Sequence, residues 1–113
     1  MSDNLEIQID VQPAATVLRL KGDAAIDEGK TLELTLTRLC STKPKLVVLD
    51  LSELQMVASL VIAQLVTLKR CLARSGGKMR LAALPPLVMT SLTRTRMDNV
   101  FDCFPTIEDA LKV

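Results

Sequence analysis

Residues 45–52 read Lys-Leu-Val-Val-Leu-Asp-Leu-Ser, and this stretch decides the architecture of the 113-residue chain. A run of Val and Leu bounded by polar residues is typical of a strand that is buried on both faces, as in parallel sheets. A short link follows, and then Ser59 stands directly before a long apolar-periodic stretch, Leu60 to Arg74, which ends at Gly76-Gly77. The segment therefore predicts a buried strand, a link and a helix that packs on the sheet.

Ser59 has two interpretations at this helix start. Its hydroxyl can cap the helix N-terminus, or it can accept a phosphate whose charge would lie where the helix dipole favours anions. The next three residues, Leu60, Val61 and Ile62, occupy one helical turn and cannot all face a sheet. We expect one of them to be exposed beside Ser59, where an exposed apolar side chain suits a protein partner.

The opening of the chain predicts a hairpin. Leu5 to Val11 alternates apolar and polar residues, and a second strand from Thr16 to Lys21 follows a turn at Pro13. Gly22-Asp23 is expected to end that second strand. Later strands are predicted at 46–51, 78–84 and 100–104, and later helices at about 85–97 and from Thr106 onward.

The segment from Ala24 to Cys40 carries two conflicting patterns. Leu32, Leu34 and Leu36 alternate with polar residues, which favours a strand, whereas Ile26, Leu32, Leu36 and Leu39 can also share one helical face. We predict a helix, because two parallel neighbouring strands need a crossover and no other segment can supply one. The predicted fold class is α/β: a single domain, residues 1–113, with a mixed, mostly parallel sheet of four to five strands, opened by a β-hairpin, and four helices.

Composition excludes several functions. The net charge is +1, and aromatic residues make up 2% of the chain, so neither a nucleic acid nor a membrane is an expected partner. No histidine is present, which removes the usual nucleophile pairs and imidazole metal sites, and we expect no enzyme activity, cofactor or metal. The N-terminus lacks the pattern of a signal peptide, and a cytoplasmic location is expected.

Two smaller sets of residues have structural interpretations. Cys40, Cys71 and Cys103 form no C-x-x-C motif, and we expect three buried, reduced thiols. Asp50 and Ser52 close the buried strand; we favour turn-forming roles for them over ligand binding at the strand end.

The chain resembles the STAS domain family, which is shared by sulfate transporters and anti-sigma-factor antagonists. The resemblance is carried by the strand at 47–52, the passage from Leu72 to Leu81 that contains Ser-Gly-Gly, and the ending at 98–110. It implies an antagonist that binds an anti-sigma factor, a serine kinase. In such antagonists the first Ser of an Asp-Ser-Ser/Thr-Gly motif, at the start of the second helix, is phosphorylated by that kinase.

The family motif falls on Ala58-Ser59-Leu60-Val61, which keeps the acceptor Ser and lacks the Asp and the Gly. A second acidic position of the family falls on Ala25, with Asp23 and Asp27 nearby. The resemblance implies that partner binding centres on residues 55–62. The candidates are Ser59 as phosphoacceptor and Gln55, Met56, Ala58, Leu60, Val61 and Ile62 as partner contacts. The alternative is a degenerate STAS module that binds without a phospho-switch, as a scaffold or a homodimer.

Overall fold

A five-stranded sheet organises the protein in a computed structural model that describes residues 5–24 and 29–112. The strands follow the order β1-β2-β3-β4-β5; β1 is antiparallel to β2 and the other neighbours are parallel. The elements are β1 Glu6–Val11, β2 Thr16–Ala24, α1 Gly29–Ser41, β3 Leu46–Val57, α2 Ser59–Arg74, β4 Lys78–Ala82, α3 Pro86–Arg94, β5 Asp102–Phe104 and α4 Ile107–Leu111. The predicted α/β class, the hairpin, the five strands and the four helices are confirmed.

The β1–β2 hairpin forms as predicted, and the Gln12 N–H donates to the Ala15 carbonyl across the turn at 2.8 Å. The predicted end of β2 at Gly22-Asp23 is wrong, because β2 continues to Ala24 alongside β3. The ladder instead shifts register on either side of Gly22, whose φ of 98° is open to glycine at little cost. Glycine here marks an irregularity within the strand and not its end.

The segment with two patterns is a helix from Gly29 to Ser41, which confirms the helical prediction for that part. Ala24, the predicted first residue of the helix, belongs to β2, and Ile26 lies outside the described residues. Leu32, Leu36 and Leu39 are buried against the sheet, whereas Leu34 is 60% exposed. The helical period therefore determines which leucines face the core. The crossover that α1 supplies between the parallel strands β2 and β3 accounts for this outcome.

The core lies on both faces of the sheet. The larger cluster joins α1 and α2 to alternate residues of β2, β3 and β4, and a smaller one joins Ala110 of α4 to Leu46, Val48 and Ala82. Arg80 of β4 secures this second layer. Its guanidinium donates to the carbonyls of Ala110 (2.9 Å) and Lys112 and lies 5.3 Å from the centroid of the Phe104 ring.

The prediction of three reduced thiols is wrong for two of the cysteines. Cys40 of α1 and Cys71 of α2 form a disulfide, with their Cα atoms 6.3 Å apart. The two cysteines are 31 residues apart in the sequence, and the packing of α1 against α2 brings them within disulfide distance. Sequence spacing alone does not reveal this proximity. Cys103 is a half-buried free thiol, and burial, with Asp102 and Asp98 nearby, raises its pKa.

Candidate functional site

The site is built at the end of β3. The sequence predicts a strand that ends near Ser52 and a link from 53 to 58, but the strand continues to Val57. β4 accompanies β3 only as far as Asp50, which pairs with Ala82, so beyond that point β3 pairs with β2 alone. Residues 21–24 and 53–57 thus form a two-stranded extension of the sheet, which we call the ribbon, and it leads directly into α2.

The ribbon carries polar and apolar residues outward. Gln55 is exposed and Met56 is 44% exposed, whereas Leu54 is buried in the larger core cluster. Lys21 and Glu53 form an ion pair across the two strands, with Nζ and Oε2 3.6 Å apart. Both side chains are half-exposed, so the pair contributes little to stability.

Ser59 is the first residue of α2, and Ala58 occupies the N-cap position with φ −81° and ψ 152°. The Ala58 carbonyl accepts from Val61 N (2.9 Å) and Ile62 N (3.2 Å). The capping interpretation of Ser59 is therefore wrong, because the residue lies one position inside the helix and Ala58 has no side chain that could cap. The exposed Ser59 side chain is left at the positive end of the helix dipole.

The first turn of α2 exposes one apolar residue, as expected. Leu60 is 47% exposed, while Val61 and Ile62 are 0% and 3% exposed and belong to the core. Burial therefore removes Val61 and Ile62 from the surface that a partner could reach in this conformation, which corrects their selection as contacts. Gln55, Met56, Ala58, Ser59 and Leu60 remain at or near the surface, and we call these five residues the α2-start surface.

Asp50 lies just before the ribbon and is not a turn residue. It is 2% exposed, and its Oδ2 accepts from Arg19 Nε at 2.8 Å while its Oδ1 accepts from the Ser52 backbone N–H at 3.0 Å. Burial raises the pKa of this carboxyl, but the hydrogen bonds from Ser52 and Arg19 outweigh burial and leave the pKa below its ordinary value. Asp50 is thus a charged anchor that holds β2 to β3 where the ribbon begins.

Arg19 is the residue at this site that the sequence analysis missed. It follows Leu18 and precedes Leu20, both of which are fully buried, so its side chain points to the opposite face of β2. A basic residue on the strand beside a buried Asp is a signal that could have found the pair, once β2 and β3 were known to be neighbours.

Acidic residues are absent from the first turn of α2. The motif position that the family fills with Asp is Ala58, and the Ala25 and Asp27 positions lie outside the described residues. Asp23 lies in the ribbon at the register position opposite Met56. The arrangement presents a hydroxyl, a helix N-terminus and exposed apolar side chains, which together suit protein contact and acceptance of a phosphate from another protein.

Two negative findings apply to residues 5–24 and 29–112. No group of three His, Cys, Asp or Glu side chains there could hold a metal ion. None of the helices in these ranges combines the length and apolar character that a membrane span requires.

A family model of the STAS domain matches residues 6–110. The chain therefore belongs to the STAS domain family, as its sequence motifs predicted. Among solved structures it is similar to an anti-sigma factor antagonist from Mycobacterium paratuberculosis, with a TM-score of 0.88 and 22% identity over 98% of this chain and 94% of that one.

Two further structures extend the comparison. The Bacillus cell fate determinant SpoIIAA in its phosphorylated form gives a TM-score of 0.73 at 15% identity, covering 94% of this chain and 96% of that one. A sulfate transporter family protein from Wolinella succinogenes gives 0.75 at 15% identity, covering 90% and 85%. At such identities these similarities establish the shared fold, and the function must be argued from the site.

Proposed function

We propose that this STAS protein is an anti-sigma-factor antagonist that binds an anti-sigma factor, a serine kinase, through the α2-start surface. The observation that carries the proposal is the grouping of an exposed Ser59 with two exposed large apolar side chains, Met56 and Leu60. Apolar residues at such a patch supply binding energy, and the hydroxyl of Ser59, which lies between them in the sequence, supplies a position at which binding can be switched.

Phosphorylation of Ser59 would reverse binding through desolvation. A phosphoserine carries about −1.5 to −2 charges at neutral pH. The helix dipole at the first turn of α2 tolerates this charge, so the fold of the antagonist is preserved. A partner surface that packs on Leu60 would have to bury the charge, which is unfavourable without a new cationic partner. The phosphorylated form is therefore the released form.

The kinase must supply the chemistry. The first turn of α2 offers no carboxylate, and Asp50 is engaged by Arg19 and Ser52. Neither of these positions supplies a general base for the Ser59 hydroxyl, so in this proposal the base comes from the kinase and the protein acts as its substrate.

A phosphomimetic variant with a matched control tests the proposal. Ser59→Asp places a carboxylate in the patch, and Ala73→Asp places the same charge on an exposed position of α2 about 21 Å further along the helix axis. Wild-type protein first captures its partner from the source cell, and the purified partner is then titrated with all three proteins. We expect Ala73→Asp to bind like wild type and Ser59→Asp to bind at least about tenfold more weakly. Equal affinities for all three would refute a switch at Ser59.

A second candidate is a STAS module that binds without a phospho-switch. The absence of an acidic residue in the first turn of α2, where Ala58 replaces the family Asp, favours it. This candidate predicts that Leu60→Asp weakens partner binding, whereas no phosphate is found on Ser59 in protein from the source cell. A phosphate on Ser59 would exclude this candidate.

A cytoplasmic location is part of the proposal, since sigma factors act there. The Cys40–Cys71 disulfide is evidence against this location, because stable disulfides are rare in the cytosol. Trapping of free thiols in intact cells decides between the two. If Cys40 and Cys71 react with the trapping reagent in intact cells, the cytoplasmic assignment is supported, and a disulfide that persists in the cell would contradict it.

A further inference from the structure

The outer edge of β1 is open in the part of the chain that the structure describes. β1 is the first strand of the sheet and pairs there with β2 alone. Natural edge strands are commonly protected by charged side chains, above all lysine, or by proline, a bulge or short length. β1 carries Glu6 and Asp10 but no lysine, proline or bulge. β1 has six residues, Glu-Ile-Gln-Ile-Asp-Val, in unbroken register with β2, whereas β5 at the opposite edge has three. The β1 edge is thus the one suited to pairing with another strand.

Apolar side chains border this edge. Ile9 is 48% exposed and Val11 is 77% exposed, and both line a surface cavity of about 680 Å³ together with Arg38 of α1. Leu34, which is 60% exposed, lies one helical turn before Arg38 and therefore on the same side of α1. Ile9 and Val11 thus form an exposed apolar strip along the open edge.

The hairpin turn fixes which backbone groups point outward. In an antiparallel ladder, residue pairs that exchange backbone hydrogen bonds alternate with pairs that do not. Gln12 donates to Ala15, and this pair follows directly on the Val11–Thr16 pair of the ladder. The odd-numbered residues of β1, with Ile9 at their centre, therefore direct their N–H and carbonyl groups away from β2 and toward the open edge.

We propose that a second copy of the chain occupies this edge, its β1 antiparallel to the first and paired about Ile9. The outward groups of odd-numbered residues require odd residues to face odd residues across a two-fold axis. Pairing about Ile9 sets Ile7 opposite Val11 of the second copy and Gln8 opposite Asp10. The apolar strip becomes continuous across the two copies, and no acidic residue faces another.

The other registers that match the backbone are less favourable. Pairing about Gln8 sets Glu6 opposite Asp10 of the second copy twice, and pairing about Asp10 sets that carboxylate against itself. Pairing about Ile7 leaves Val11, the most exposed apolar residue of the strand, without a described residue opposite it. A strand whose own sequence is complementary to itself in one register favours a second copy over an unrelated peptide.

Charge variants test both the edge and the register. Ile9→Lys places a charge at the centre of the pairing, and Gln8→Lys places the same charge one residue away on the opposite face, against Asp10 of the second copy. Sedimentation velocity should show wild type and Gln8→Lys with twice the monomer mass of 12.4 kDa and Ile9→Lys as a monomer, a loss of affinity of at least about 100-fold. Circular dichroism confirms that each variant is folded. A monomeric wild type at about 1 mM would overturn the proposal.

A crosslink tests the axis itself. Opposed residues of a hydrogen-bonded pair have Cα atoms about 5.5 Å apart, within the range of a disulfide. In a Cys103→Ser background, Ile9→Cys should therefore form a disulfide-linked dimer under mild oxidation by a small-molecule disulfide, which accepts the two electrons and two protons that the paired thiols give up. Gln8→Cys, which faces Asp10, should remain monomeric on a non-reducing gel. A higher yield from Gln8→Cys would contradict the register.

The edge shares no residue with the α2-start surface. Loss of the dimer in Ile9→Lys with unchanged partner affinity would support the edge proposal alone, so failure of either proposal leaves the other testable.

Discussion

Removal of the Cys40–Cys71 disulfide should destabilise the protein substantially. The crosslink joins α1 to α2 across 31 residues of sequence, and a chain-entropy estimate for a loop of that length is about 3.7 kcal/mol at 25 °C. At an unfolding entropy of about 2.1 cal/mol/K per residue, this loss lowers the midpoint of thermal unfolding by roughly 15 °C. The double variant Cys40→Ala/Cys71→Ala, or reduction of wild type by dithiothreitol, imposes the change.

Urea and thermal denaturation measure the effect, and the third cysteine supplies the control. Cys103→Ala removes a half-buried thiol that makes no crosslink, and it should lower the free energy of unfolding by about 1 kcal/mol or less. Dithiothreitol should leave the double variant unchanged. Unfolded wild type without reductant should show one free thiol per chain. Three free thiols, or an unchanged midpoint after reduction, would refute the crosslink and its contribution.

Three further outcomes follow from the charged groups and the site. Asp50→Asn should lower the free energy of unfolding by about 1–2 kcal/mol at pH 7. Because folding lowers the pKa of Asp50, its stabilisation is complete above the ordinary carboxyl pKa near 4 and is lost as the pH falls through the folded pKa. The urea midpoints of wild type and variant should therefore converge as the solution is acidified. Arg80→Ala should lower the free energy of unfolding by about 1–3 kcal/mol through loss of the α4 contacts, while Arg94→Ala on the exposed face of α3 should change it by less than about 0.5 kcal/mol. Equal effects of the two substitutions would contradict the role of Arg80 in holding α4. Purified protein with ATP and magnesium should gain no phosphate on Ser59, and autophosphorylation would overturn the passive-substrate role.

The order of elements was predictable because hydrophobic period and turn residues act locally. The stretch at 45–52 and the leucines of α1 predict their elements correctly, and in α1 the need for a crossover resolves two competing periods. Capping of α4 was equally local: the Thr106 hydroxyl accepts from Asp109 N at 3.1 Å, as its Thr-x-x-Asp start predicts.

The errors arise where tertiary pairing decides the outcome. β3 continues to Val57 because β2 offers a partner strand beyond Asp50, and this displaces the helix cap from Ser59 to Ala58. Two other features depend on which elements pack together: the bond between Cys40 and Cys71 and the contact of Arg80 with α4. Neither follows from spacing along the chain.

At the candidate site the sequence predicted the segment 55–62, and the structure shows which of its residues are accessible. The expectation that one apolar residue beside Ser59 is exposed is confirmed by Leu60, whereas Val61 and Ile62 belong to the core. Met56 belongs to the same surface because it lies in the ribbon, whose strand pairing fixes its position. A flexible link at 53–58 would leave that position undetermined.

The most direct test of the central claim is phosphate transfer to Ser59 by the captured partner. The purified partner, ATP and magnesium are mixed with wild type or Ser59→Ala, and phosphopeptides and the bound fraction are measured over time. We predict a single phosphate on Ser59 of wild type, release of the partner as that phosphate accumulates, and a Ser59→Ala protein that stays bound. A phosphate on another residue, or release of Ser59→Ala at the rate of wild type, would contradict the account.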